Sequence, residues 1–98
     1  MPRRILDRIR EAIRNAAFDM TVHAIEEMAE DHLDLWDVEA SILNGKVAKR
    51  ERGEPRGTRY TVHGTGADGM TRVGTVGRFT ETGRYLVITV YTLTEREK

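Results

Sequence analysis

Near Gly45 the hydrophobic repeat of this 98-residue chain changes period, from three- and four-residue spacing before it to alternation after it. A stripe of one period cannot be buried by an element of the other, so helices come first and strands second. The first predicted helix covers residues 3–17, with Ile5, Ile9, Ile13 and Ala16 or Ala17 as its apolar stripe and Arg3, Arg4, Arg8, Arg10 and Arg14 on its other faces. Thr21 is a good N-cap for a second helix running to about His32, with Val22, Ile25, Met28 and Ala29 as its buried side. Asp34 caps a third, in which Leu35, Val38 and Ile42 face the core with Trp36 beside them; a Trp36 left in solvent would instead mark a partner surface. This helix stops at Asn44-Gly45, where the glycine is expected in the left-handed conformation.

Four strands are predicted at 46–52, 59–63, 70–79 and 85–93, joined as hairpins by turn-rich segments. Residues 85–91 are apolar on both faces and belong in the middle of the sheet. Strict alternation sets Leu86, Ile88 and Val90 on one face and Tyr85, Val87, Thr89 and Tyr91 on the other. Gly74 and Gly77 interrupt the third strand and mark a bulge or the close approach of another backbone. The segment from Gly64 to Gly69 shares only its glycine content with phosphate loops; it precedes a strand, so a hairpin turn is expected. The expected fold is one α+β domain over 1–98, helical at 1–17 and 21–45, its helices packed on one face of a four-stranded antiparallel sheet at 46–93. The opposite face is expected to be partly open and basic.

A formal net charge of zero conceals a segregation: residues 15–45 hold eight carboxylates and no Lys or Arg, while all sixteen basic residues lie outside that window. An acidic helical segment thus sits beside an Arg-rich sheet, a plausible seat for an anion and most obviously for an RNA phosphate. With no cysteine, neither a disulfide framework nor a thiolate metal site can form, and a cytoplasmic location is expected. The apolar residues of the N-terminus are broken by charge, and no run has the length of a bilayer span, so no membrane association is expected.

Three short motifs stand in order: His23-Ala24-Ile25-Glu26-Glu27-Met28, Val38-Glu39-Ala40-Ser41-Ile42-Leu43-Asn44-Gly45, and Ile88-Thr89-Val90-Tyr91. Over about residues 20–93 the chain resembles a family of small bacterial proteins of unassigned function. That family's signature is a His-Ala-x-x-Arg-Met helix start, a short acidic helix ending in Asn-Gly, and a C-terminal strand like Val-Thr-Val-Tyr. It looks related to the RelE and BrnT toxins of bacterial toxin-antitoxin pairs, small folds of helices and antiparallel strands that cleave RNA, in several cases on the ribosome. The resemblance implies a RelE-like fold, RNA or the ribosome as target, and an antitoxin protein or a second copy of the chain as partner. One departure stands out: the family's arginine is Glu27 here, and the next turn's basic residue is replaced around Asp31 and His32. If that arginine holds a phosphate in relatives, a carboxylate in its place repels the same group.

Cleavage of this kind needs a group to accept the 2′-hydroxyl proton, positive charge where the phosphorane develops, and a proton for the leaving oxygen; neither metal nor cofactor is required. His63 or His23 can exchange protons near neutral pH, Arg72 can neutralise the phosphorane, and Tyr91 can orient or stack a base; these four are the catalytic candidates. Arg59 and Arg78 are the candidates for holding RNA phosphates. Alternation places Arg59 and His63 on one strand face, and Arg72 and Arg78 on one face of the next. The structural alternative for His23 is a hydrogen bond that fixes its helix against the sheet. His23, Glu27 and Asp31 share a helix face, but they match no recognised metal motif and read as an exposed acidic stripe. A different class of function, a noncatalytic module docking through the acidic 26–39 segment and the Arg-rich first helix, is supported by the loss of the basic residue at position 27.

Overall fold

The computed structural model describes residues 4–93, in the order α1 (Ile5–Arg14), β1 (Phe18–Met20), α2 (Val22–Glu30), α3 (Leu35–Asn44), β2 (Lys46–Glu51), β3 (Arg59–Thr65), β4 (Arg72–Phe79) and β5 (Tyr85–Thr92). The predicted helix start at Arg3 lies outside the described residues. The α+β class and the three helices match the sequence reading, but the sheet does not. It has five strands in the order β1-β5-β4-β3-β2, and β1 runs parallel to β5 while the other pairs are antiparallel. Three residues of β1 are too few to declare a period. They are recognised only by their pairing, which Tyr85 N–H to Ala17 O and Thr21 N–H to Val87 O extend at either end, each 3.0 Å.

Helix α1 ends at Arg14 rather than 17, because Ala16 turns left-handed at φ 54°. Ala17 N–H then reaches Ala12 O and Ala16 N–H reaches Ile13 O, closing the helix in the 6→1 and 5→2 pattern and releasing the chain into β1. Helix α2 closes in the same way, with His32 at φ 57° and Leu33 N–H on Met28 O. The expected caps are present. Thr21 Oγ1 accepts from Ala24 N–H, and Asp34 and Asp37 form a reciprocal capping box.

The core joins Ile9, Ala12 and Ile13 of α1, Ala24 of α2, and Val38 and Ile42 of α3 to Val62, Val73, Tyr85, Val87 and Val90 of the sheet. Four residues assigned inward by periodicity stand in solvent: Val22 and Trp36 are each 72% exposed, and Ile25 and Leu35 nearly half exposed. The inward stripe of α2 is instead Ala24, Glu27, Met28 and Asp31, an i, i+3, i+4, i+7 set with two carboxylates in it.

Those carboxylates face a strand edge. Beyond Val87, no strand among the described residues pairs with the outer side of β5, since β1 pairs only as far as that residue. Helix α2 takes the place of the strand: Thr21 Oγ1 donates to Ile88 O (3.0 Å), Glu27 Oε1 accepts from Val90 N–H (3.2 Å), and Asp31 Oδ2 accepts from Thr92 N–H (2.9 Å). The spacing fits because four helical residues rise about 6 Å and two strand residues about 6.6 Å, so an i, i+4 pair of acceptors meets alternate N–H groups.

Gly45 is extended, at φ −89°, and not left-handed as expected. Glycine is required there by proximity: a Cβ would stand 2.3 Å from Ser41 O and 2.5 Å from His63 O. At the far edge of the sheet, Arg84 makes a two-pronged pair with Asp19 (Nε–Oδ2 2.7 Å, Nη2–Oδ1 3.1 Å) and also donates to Phe18 O, tying β1 to the β4–β5 turn. The hydrogen bond from Arg84 holds the Asp19 carboxyl below the usual carboxylate range. None of the helices is long and apolar enough to cross a membrane, among the described residues.

Two stability tests follow from these contacts. Glu27→Ala leaves Val90 N–H without its acceptor and should lower stability by about 1–3 kcal/mol in urea unfolding. Because the Asp19 pKa is depressed on folding, its pairing stabilises above the ordinary carboxylate range and is lost as pH falls through the folded value. The melting-temperature gap between wild type and Asp19→Asn should therefore be present at pH 7 and close as the pH falls below the ordinary carboxylate range.

Candidate functional site

The face of the sheet away from the core is built from rows of side chains crossing three strands. One row contains His63, Gly74 and Tyr91, which are direct neighbours on β3, β4 and β5. Gly74 carries nothing on this face, and the Tyr91 ring lies over it: a Cβ there would be 2.4 Å from the ring. The phenol thereby reaches across β4 to His63, with Tyr91 Oη 3.2 Å from Nε2 and the two rings edge to face, 6.2 Å between centroids. Either the phenol donates to a neutral Nε2 or an Nε2–H donates to the phenol oxygen, according to the imidazole tautomer.

A bulge makes this possible. Between the pairs Val76↔Thr89 and Gly77↔Val87, Ile88 is the extra residue on β5. Strict alternation had placed Tyr91 with Tyr85 and Val87, on the face opposite Leu86 and Ile88. With one residue inserted, Tyr85, Val87 and Val90 point into the core while Leu86, Ile88 and Tyr91 share the outer face. The two strand-end tyrosines are thus separated. Tyr85 is buried over Gly77, its hydroxyl without a partner among the described residues, and burial pushes that hydroxyl far above the usual tyrosine range, so it stays protonated.

Basic residues surround the His63–Tyr91 pair. Lys46 stands opposite His63 in the β2–β3 register, and Arg72 opposite Thr65 in the β3–β4 register. Lys46, Arg72 and His63 line one depression, and Lys49, His63 and Tyr91 line the next, where Glu51 is the only carboxylate among the lining residues. Lys46 and Lys49 were not singled out from the sequence. Lys49 comes to line the depression because β2 also carries an irregularity, between Val47 and Lys49, which no alternation signals.

Arg59 and Arg78 are brought together in a separate concavity, of about 290 Å³, toward the other end of the same face. The sequence-predicted residues therefore divide into groups: His63, Tyr91 and Arg72 around one end, Arg59 and Arg78 at the other, and His23 with neither. His23 is on α2, its side chain 67% exposed, with Nε2 3.2 Å from Glu27 Oε1. It shares no depression with His63, and its contact is with a carboxylate of its own helix rather than with the sheet. Glu27 and Asp31 are turned to the β5 edge, and no group of three His, Asp or Glu side chains among the described residues is arranged to hold a metal ion. The Gly64–Gly69 segment is a hairpin turn as expected. Asp68 accepts from Met70 N–H, Thr71 N–H and the Thr71 hydroxyl, and the last of these leads in lowering its pKa.

The chain belongs to the family described as a domain of unknown function, DUF4258, which matches it over residues 20–92. The match runs from the last residue of β1 to the end of β5 and so takes in α2, α3 and the rest of the sheet. No curated protein matches the chain, and no solved structure does.

Gly74→Ala should place a methyl group in the path of the Tyr91 ring and cost about 1–3 kcal/mol by overpacking. Adding Tyr91→Ala should recover part of that loss, a coupling that a double-mutant cycle in urea reads directly.

Proposed function

We propose that this protein binds RNA on the outer face of its sheet and cleaves it without a metal, as a toxin of the RelE or BrnT kind. The single observation that supports this reading is the His63–Gly74–Tyr91 row, an imidazole and a phenol at hydrogen-bond distance beside depressions lined by Lys46, Lys49 and Arg72. In the proposed reaction His63 accepts the 2′-hydroxyl proton as the 2′-oxygen bonds to phosphorus, and returns it to the 5′-oxygen as that bond breaks. The products are a 2′,3′-cyclic phosphate and a 5′-hydroxyl. Arg72 and Lys46 offset the charge developing on the phosphorane oxygens, and Tyr91 orients the imidazole. His23 has no role in this scheme.

Glu27 no longer counts against the reading. A carboxylate that accepts Val90 N–H at the β5 edge holds a strand in place and lies outside the basic depressions. The second reading, a noncatalytic partner-binding module, draws support from a different place: Trp36 at 72% exposure and Val22 on the acidic helices.

Purified protein in EDTA should cleave RNA to cyclic-phosphate ends, and its expression should slow growth. His63→Ala should reduce cleavage by about 10²–10⁴-fold, the usual contribution of a general acid–base group. Arg72→Ala should lower it as well while leaving the fold intact by circular dichroism. Intact RNA and unimpaired growth with wild-type protein would overturn cleavage and favour the module. Cleavage that survives His63→Ala would overturn the assignment of His63.

A further inference from the structure

The concavity toward the other end of the outer face has its own chemistry. The β3–β4 ladder ends at Tyr60 and Gly77, and just beyond it Arg59 and Arg78 line one concavity. Like charges so placed repel, and the sheet bears that cost. Neither is neutralised from within: Glu51 stands opposite Arg59 in the β2–β3 register and Glu54 lines the same concavity, yet no ion pair among the described residues engages Arg56, Arg59 or Arg78. Three arginines therefore line one space, with Glu54 as the single carboxylate among its lining residues.

The floor of that space is apolar. Leu86 and Ile88 form it, both half-buried, and Thr21 closes one wall with a hydroxyl already committed to Ala24 N–H and Ile88 O. At about 290 Å³ it lies at the small end of ordinary ligand pockets, which begin at roughly 300 Å³. A ligand that fits has three parts: an anion for Arg59 and Arg78, a flat apolar body for Leu86 and Ile88, and hydrogen-bond donors for Glu54. A polyphosphate would set further negative charge against Glu54, and inorganic phosphate would leave the floor unused. A nucleoside monophosphate has all three, with its phosphate, its base and the amino or hydroxyl groups of base and ribose.

We infer that this cleft is a mononucleotide subsite, Arg59 and Arg78 holding the phosphate while the base lies on Leu86 and Ile88 and donates to Glu54. It rests on the proposed RNA function in one respect, that the nucleotide it holds belongs to the strand presented to His63. The bulge at Ile88 serves both, because it puts the cleft floor and Tyr91 on the same face.

Full-length ¹⁵N-labelled protein titrated separately with AMP, CMP, inorganic phosphate and a phosphoserine peptide tests this. The monophosphates should shift the amides of Arg78, Leu86 and Ile88 and bind about tenfold or more tightly than phosphate. Arg78→Gln should weaken that binding by about tenfold or more, as expected for loss of a charge-assisted hydrogen bond. Leu86→Glu, which places a carboxylate on the floor, should weaken it without changing the melting temperature greatly, and serves where Arg78→Gln fails to fold. Equal affinity for inorganic phosphate, preference for the phosphopeptide, or unchanged affinity in both variants overturns the subsite. The two proposals fail separately: mononucleotide binding by protein that leaves RNA intact keeps the cleft and removes cleavage, whereas RNA cleavage by protein whose cleft amides ignore mononucleotides does the reverse.

Discussion

Past Val87 the outer edge of β5 is held by side chains of one helix, and the rest of the molecule follows from that substitution. Thr21, Glu27 and Asp31 can meet Ile88, Val90 and Thr92 only if α2 lies along the strand with its carboxylates inward. That rotation turns Val22 and Ile25 out to solvent and leaves Ala24 and Met28 to pack on the core. The same stretch of β5 carries the bulge, so the helix that secures the edge also secures the residues whose direction decides what the outer face contains.

The outer face is assembled from absences as much as from groups. Gly74 has no side chain, and the space it leaves lets a tyrosine from one neighbouring strand touch a histidine from the other. Arg59 and Arg78 have no ion-pair partner among the described residues. They line one concavity on that face, apart from the depressions around His63.

Much of this was legible beforehand. Thr21 and Asp34 announced helix starts because their side-chain oxygens satisfy N–H groups that have no other partner. The three hairpins were announced by their turn residues. Strand β1 was illegible because three residues hold no period, and the buried side of α2 was illegible because two of its four inward positions are carboxylates whose partners are backbone groups more than sixty residues away. His63, Arg72 and Tyr91 were named from chemistry alone, but their proximity depended on a bulge and a glycine. Alternation carries side-chain direction only as far as the first inserted residue. Gly45 shows the complementary error, a glycine explained by dihedral freedom when crowding by Ser41 and His63 backbone atoms was the reason.

The other edge of the sheet is treated differently. Among the described residues, strand β2 has β3 on one side and no strand on the other, and no helix side chain is bonded along it as those of α2 are along β5. Its outward groups are Lys46, Lys49 and Arg50, all exposed, and its pairing slips between Val47 and Lys49. Positive charge and an irregular backbone are poor templates for another chain's strand. Growth of the sheet by edge-to-edge pairing is therefore disfavoured along β2.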